Sequence, residues 1–252
     1  MTADRTTDEH TDGTEHTSTP RTRAVTEYAR AVREQLRYGR LLPLGAAADG
    51  AWITERAAAG LLRAAGDGVT GVRVGTLRLA LADPDAAGEP AVPPPPSALP
   101  PGPLRIEAEL AATGGRPLRS TAELVRTALA TAAADRLGLV VAEVDLRVTE
   151  LLDADPSPEP QAPAERPAPP SDESATARAV RAVPGVAGLD SVHEEHHPAT
   201  PHALPAPHVR VDLTVAPGHR ALDVAGAVRT AVTGSARTDR PTVSVVVTGA
   251  AG

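Results

Sequence analysis

Along residues 104–110, Leu104, Ile106, Ala108 and Leu110 alternate with Arg105, Glu107 and Glu109. A period of two predicts a strand with one face on a core and one in water. Leu77, Leu79 and Leu81 alternate with Arg78 and Ala80, predicting a strand over about 71–81, and Val144, Leu146 and Val148 alternate with Asp145, Arg147 and Thr149 as a third. Helical spacing takes over elsewhere. Thr54 is placed to cap a helix over about 55–65 with Leu61, Leu62 and Ala65 on its apolar side, and Gly66 and Gly68 stop it. Ser120 and Glu123 have capping-box spacing ahead of Leu124, Val125, Ala128, Leu129 and Ala132, and Gly138 suits the end of that second helix. The unit reads helix, strand, strand, helix, strand. Two helices on the apolar face of a three-stranded sheet, with the other face charged, make a two-layer α/β sandwich.

The unit occurs twice. Residues 104–129 and 207–232 align without a gap: Ile106, Ala108 and Leu110 fall on Val209, Val211 and Leu213, Gly115 falls on Gly218, and Val125-Arg126-Thr127-Ala128 repeats as Val228-Arg229-Thr230-Ala231. Such self-similarity predicts a duplicated supersecondary unit. In the second copy a short helix spans Ser174 to Val183, Val183-Pro184-Gly185-Val186 matches the turn Val69-Thr70-Gly71-Val72, and a loop runs from about His193 to Pro207. Val209–Val215 is its second strand, Asp223 caps its second helix, and Val243–Val247 is its last strand. The fold class is therefore α+β: two tandem two-layer α/β sandwiches, each helix-strand-strand-helix-strand with a three-stranded sheet, preceded by an amphipathic helix.

Between these parts the pattern gives linkers and tails. Residues 1–20 are polar and predict a disordered tail. Residues 21–40 predict the amphipathic helix, with Val25, Tyr28, Ala29, Val32 and Leu36 apolar and Arg23, Arg30, Arg33 and Arg37 forming a basic rim; the helix docks on the next domain or a partner protein, the competing reading being an anionic membrane surface. The first unit covers 51–153, a Pro-rich semi-rigid linker 154–173, and the second, degenerate unit 174–252. Ala82–Pro103, with Pro93 to Pro96 consecutive, is a loop. The charged strand faces, including Arg210 and Asp212, read as water-facing surface or a polar partner interface.

Composition narrows the chemistry. Cysteine, lysine, asparagine and phenylalanine are absent, so disulfides, thiolate nucleophiles, thiolate zinc sites, lysine-bearing phosphate loops and Schiff bases are excluded. A net charge of -7 argues against general nucleic-acid binding. The absence of a signal-peptide core or membrane-length apolar run predicts a cytoplasmic protein with no direct transmembrane segment.

Two motif matches fail on context. Gly66-Asp67-Gly68-Val69-Thr70-Gly71 spells a dinucleotide-binding fingerprint, but that chemistry needs strand then helix, and here the order is reversed. His193-Glu194-Glu195-His196-His197 spells the zinc-protease H-E-x-x-H, which needs both histidines one turn apart on a helix, whereas Pro198, Pro201, Pro205 and Pro207 break any helix there. No catalytic, cofactor-binding or metal-ligating residue is assigned. The competing class is a metal- or small-ligand-binding sensor using the His-rich loop 193–207, with His193, His196, His197 and His202 as its imidazoles.

Trp52-Ile53-Thr54 before an Ala-rich helix, the Val69-Thr70-Gly71-Val72 turn, and the run from Leu137-Gly138-Leu139 to Val144-Asp145-Leu146-Arg147-Val148 resemble the bacterial alkaline shock protein family, also called envelope stress response proteins. The resemblance covers residues 51–152 and, more weakly, 174–249, as in a divergent, tandem-duplicated member of actinobacterial type. It implies a non-enzymatic, cytoplasmic scaffold or adaptor in cell-envelope homeostasis, held near the membrane by a small anchor protein and able to self-associate or bind related family members. The proline loop, the histidine-rich loop and the second unit depart from the family pattern.

Overall fold

A computed structural model describes residues 38–156, 174–196, 207–235 and 240–250. The expected tail 1–20, all but the end of the expected helix 21–40, and most of the linker 154–173 lie outside the described residues. In chain order the elements are β1 (Leu41–Leu44), β2 (Ala51–Thr54), α1 (Glu55–Asp67), β3 (Val72–Leu81), β4 (Leu104–Thr113), α2 (Leu118–Thr131), β5 (Val141–Leu152), α3 (Ala175–Arg181), β6 (Val186–His196), β7 (Pro207–Val215), α4 (Ala221–Ser235) and β8 (Thr242–Ala250). The fold is α+β, with one sheet ordered β3-β4-β5 and another ordered β1-β2-β8-β7-β6.

The halves share their wiring. β3 and β4 pair antiparallel, as do β6 and β7, and the next helix carries the chain across to a parallel partner, β5 or β8. Ile106, Ala108 and Leu110 face Val144, Leu146 and Val148; Val209, Val211 and Leu213 face Val243, Val245 and Val247. Both parallel ladders then skip one residue at the same place, after Leu110/Val148 and after Leu213/Val247. The ungapped alignment of residues 104–110 on 207–213 therefore corresponds to one shared register.

The second sheet departs from the expected three strands. Leu41–Leu44 and Ala51–Thr54 form a hairpin, and β2 joins β8 in parallel, with Ala51 opposite Val245 and Ile53 opposite Val247. All eight hairpin residues are buried. Their uninterrupted apolar run lacks the alternation that marks a half-exposed strand, because both of their faces are covered. Pro43 is tolerated because β1 is an edge. The front of the first unit is thus built into the sheet of the second, and α1, which leaves β2, packs on β3 and reaches β8. One aliphatic core runs through both halves, including Leu62, Leu79, Ile106 and Leu129 with Val211, Val228 and Val245.

Local signals hold where the backbone needs them. Thr54 caps α1, its hydroxyl accepting from Ala57 N at 3.3 Å, and Ser174 does the same for α3 at 3.1 Å. Gly138 takes φ 86° after the end of α2 widens into a π-type turn over Ala132–Leu137. The Ser120 capping box does not form: Pro117 precedes a helix that starts at Leu118, leaving Ser120 inside the first turn. Asp223 likewise lies inside the first turn of α4, where it pairs with Arg220 at 3.1 Å. The third strand extends beyond its alternating centre to Val141–Leu152.

Candidate functional site

Alternation along β7 puts Val209, Val211 and Leu213 into the core and His208, Arg210 and Asp212 on the opposite face. That face was expected to meet water or a partner. Instead His208 is 3%, Arg210 4% and Asp212 0% exposed. The cover comes from residues 82–103, the proline loop of the first unit, laid over the far side of the second unit's sheet. Its carbonyls and amides are fixed to the hairpin: Leu41 N donates to Ser97 O (3.1 Å), Leu99 N to Leu41 O (2.8 Å) and Ala91 N to Ala47 O (3.0 Å). Trp52 packs with Leu41, Val92 and Val246 and donates its indole N–H to Leu99 O at 3.2 Å. Pro93 to Pro96 lie over His208, Arg210 and Ser244, leaving a space of about 20 Å³. That is room for about one water.

The polar groups beneath this roof pair mainly with one another, and Arg210 Nε and Asp212 Oδ1 meet as an ion pair without hydrogen-bond geometry. Asp212 Oδ2 accepts from Ser191 Oγ (2.7 Å) and Tyr38 Oη (3.1 Å), with His193 Nε2 at 3.4 Å, while Arg210 Nε sits 3.3 Å from Oδ1. Burial pushes the Asp212 carboxyl up, but His193, Arg210 and Ser191 together outweigh it and hold the group below its ordinary value. His208 bridges Thr242 Oγ1 (2.8 Å) and Ser244 Oγ (3.0 Å). A buried serine beside a histidine suggests a nucleophile and its base, yet the group orienting His208 is a hydroxyl and the space cannot admit a substrate. Ser191 and His193 share one oxygen of Asp212 and so do not form the serine–histidine–aspartate relay. The chemistry available here is internal: a charge pair and its donors closing one sheet face.

His193 to His196 lie in β6, which runs on past the expected loop start, so the first histidine and the glutamate of H-E-x-x-H, His193 and Glu194, are on an extended strand instead of a helix. His197 and His202 lie outside the described residues. Among the described residues no group of three His, Cys, Asp or Glu is arranged to hold a metal. Gly66 and Gly68 close α1 and Gly71, at φ 80°, turns the chain into β3, so no helix N-terminus faces the glycine run.

Two open surfaces stand out among the described residues. An open groove of about 430 Å³ is lined by Asp135, His219, Arg220 and Asp223 among others, with Arg220 already bonded to Ala134 O (2.9 Å) and Asp223. The other is the outer face of β3-β4-β5, where among the described residues no loop corresponds to the proline roof. Its cross-strand neighbours are charged: Arg78 beside Glu107 beside Asp145, Arg105 beside Glu143 at 3.2 Å, Glu109 beside Arg147, and Arg73 reaching Glu150 at 3.1 Å. Four arginines against five carboxylates make a mixed face with no net basic character, unsuited to phosphate backbones. It matches the expectation for Arg105, Glu107, Glu109, Asp145 and Arg147. What periodicity could not signal was the difference between the two outer faces, which depends on a distant loop. No described helix is long and apolar enough to cross a membrane. No protein family, curated protein or solved structure matches the chain.

Proposed function

We propose that the chain is a non-enzymatic adaptor of the cell-envelope stress response, acting in the cytoplasm near the membrane through contacts with a membrane-anchored protein. One observation carries this reading: the buried polar groups are closed off from any substrate, while a three-stranded sheet presents a bare, mixed-charge face. Faces of alternating sign suit protein partners, where charge complementarity sets orientation and rejects wrong partners. The resemblance of residues 51–152 to the alkaline shock family supplies the envelope setting, and the common register of the two halves supports an internal duplication. The test is a pull-down from native lysate with membrane fractionation, using the wild type and an Arg78→Glu/Arg105→Glu variant. The adaptor reading expects a membrane-anchored protein with the wild type and its loss with the variant. Recovery of no envelope or membrane-associated protein contradicts it. Heat on titrating micromolar zinc would favour a metal sensor instead.

A further inference from the structure

The arginine shared by the two repeats is used differently in each. In α4, Arg229 Nη1 donates to the carbonyls of Ala48 (3.0 Å) and Asp49, the turn that delivers β2 onto the edge of β8. In α2, Arg126 holds no such turn among the described residues, and its Nε donates to Val144 O at 3.3 Å on β5, the last strand of its own half. Val144 stands in β5 where Val243 stands in β8. Val245 N donates to Gly50 O at 3.1 Å, which shows that this set of last-strand residues turns its amides toward the added strand. In β5 the equivalent amide belongs to Leu146. Among the described residues the sheet ends at β5, so no strand pairs on that side, where Arg126 reaches the Val144 carbonyl and the Leu146 amide meets no strand. The apolar residues record the difference: Val243, Val245 and Val247 are at most 2% exposed, whereas Val144, Leu146 and Val148 are only half-buried.

We propose that the outer edge of β5 is a vacant strand-acceptor site for an extended segment of a partner protein. Its occupant is defined by how β2 fills the equivalent edge: a proline-free run of small, aromatic and branched residues like Gly50-Ala51-Trp52-Ile53, parallel to β5 and led in by a turn whose carbonyls Arg126 receives. The chain's own stretch ahead of α3 has the wrong chemistry for it, since Pro160, Pro163, Pro167, Pro169 and Pro170 offer no ladder amides. This rests on the adaptor reading and deepens it by adding, to the charged sheet face that orients the partner, the bordering strand edge that a segment of the same partner would extend.

The probe is a synthetic peptide with the sequence of residues 40–55, added to the full chain and read by amide hydrogen exchange. Saturating peptide is expected to slow exchange at Leu146 and Val148 at least tenfold. Arg126→Ala, at an exposed position, is expected to weaken binding about tenfold with an unchanged far-UV spectrum. No slowing at Leu146 with millimolar peptide overturns the proposal. So does a dimer of the chain that covers β5, or release of Leu146 protection on deleting residues 157–173, because either means the edge already has another occupant. Peptide binding without an envelope partner in the pull-down removes the adaptor and keeps the site; the reverse result removes the site alone.

Discussion

Asp212 is the residue on which the closed side of the molecule turns. A carboxylate without solvent persists because Ser191, Tyr38, His193 and Arg210 surround it. Truncating one member of a buried charge pair strands the other, at a cost of about 3–5 kcal/mol, so Asp212→Ala should lose that much in urea unfolding. The pH dependence follows from its depressed pKa. Relative to the ordinary value of 3.8, stabilisation from this group is fully present above about pH 4 and is lost as pH falls through the lower folded value. Asp212→Asn should therefore show a shallower acid limb than the wild type in stability measured from pH 5 to 2; superimposable slopes would contradict the assignment. Gly138→Ala is a second residue-scale test: at φ 86° its new Cβ would overlap Leu222 Cβ, so the melting temperature should fall. Arg210 and Asp212 read as surface because alternation reports only which side of a strand is polar. Whether a polar side meets water depends on what covers it, and here the cover is a loop more than 100 residues away in sequence.

At the scale of elements, the capped start of α1 and the tryptophan beneath the roof make distinct contributions. Thr54→Ala removes the hydroxyl that accepts Ala57 N and should cost about 1 kcal/mol, seen as a lower denaturation midpoint at unchanged slope. Trp52→Ala should cost about 3–5 kcal/mol and release the 82–103 loop, detectable as new protease cleavage within it. Most elements were legible from sequence because strand alternation and helical spacing are local properties: β3, β4, β5, β7, β8 and the four helices fall where those patterns place them, with ends shifted by a few residues. The hairpin was not. Leu41–Leu44 and Ala51–Thr54 are too short and too uniformly apolar to declare a partner, and nothing local says that their mate is β8, almost 200 residues further on. Capping signals misled at Ser120 and Asp223, where Pro117 and the Arg220 pair start the helix earlier.

For the whole molecule, a hairpin from the front of the first half completes the sheet of the second, the first half's loop roofs that sheet, and one aliphatic core joins them. The halves should not unfold separately. Scanning calorimetry should give one transition whose calorimetric and van't Hoff enthalpies agree, while residues 174–252 alone should lack a cooperative transition. Internal similarity pointed to two related halves, and the structure gives their parallel ladders one register; the interlocking was invisible because the strand that crosses to the other sheet looks ordinary in its own half. Among the described residues β8 has β2 on its outer edge and β5 has no strand on the equivalent edge, and amide exchange in the free chain measures that asymmetry directly. The account predicts that Val245 exchanges only through global unfolding and that Leu146 exchanges orders of magnitude faster through local opening. Equal protection at the two amides would contradict it.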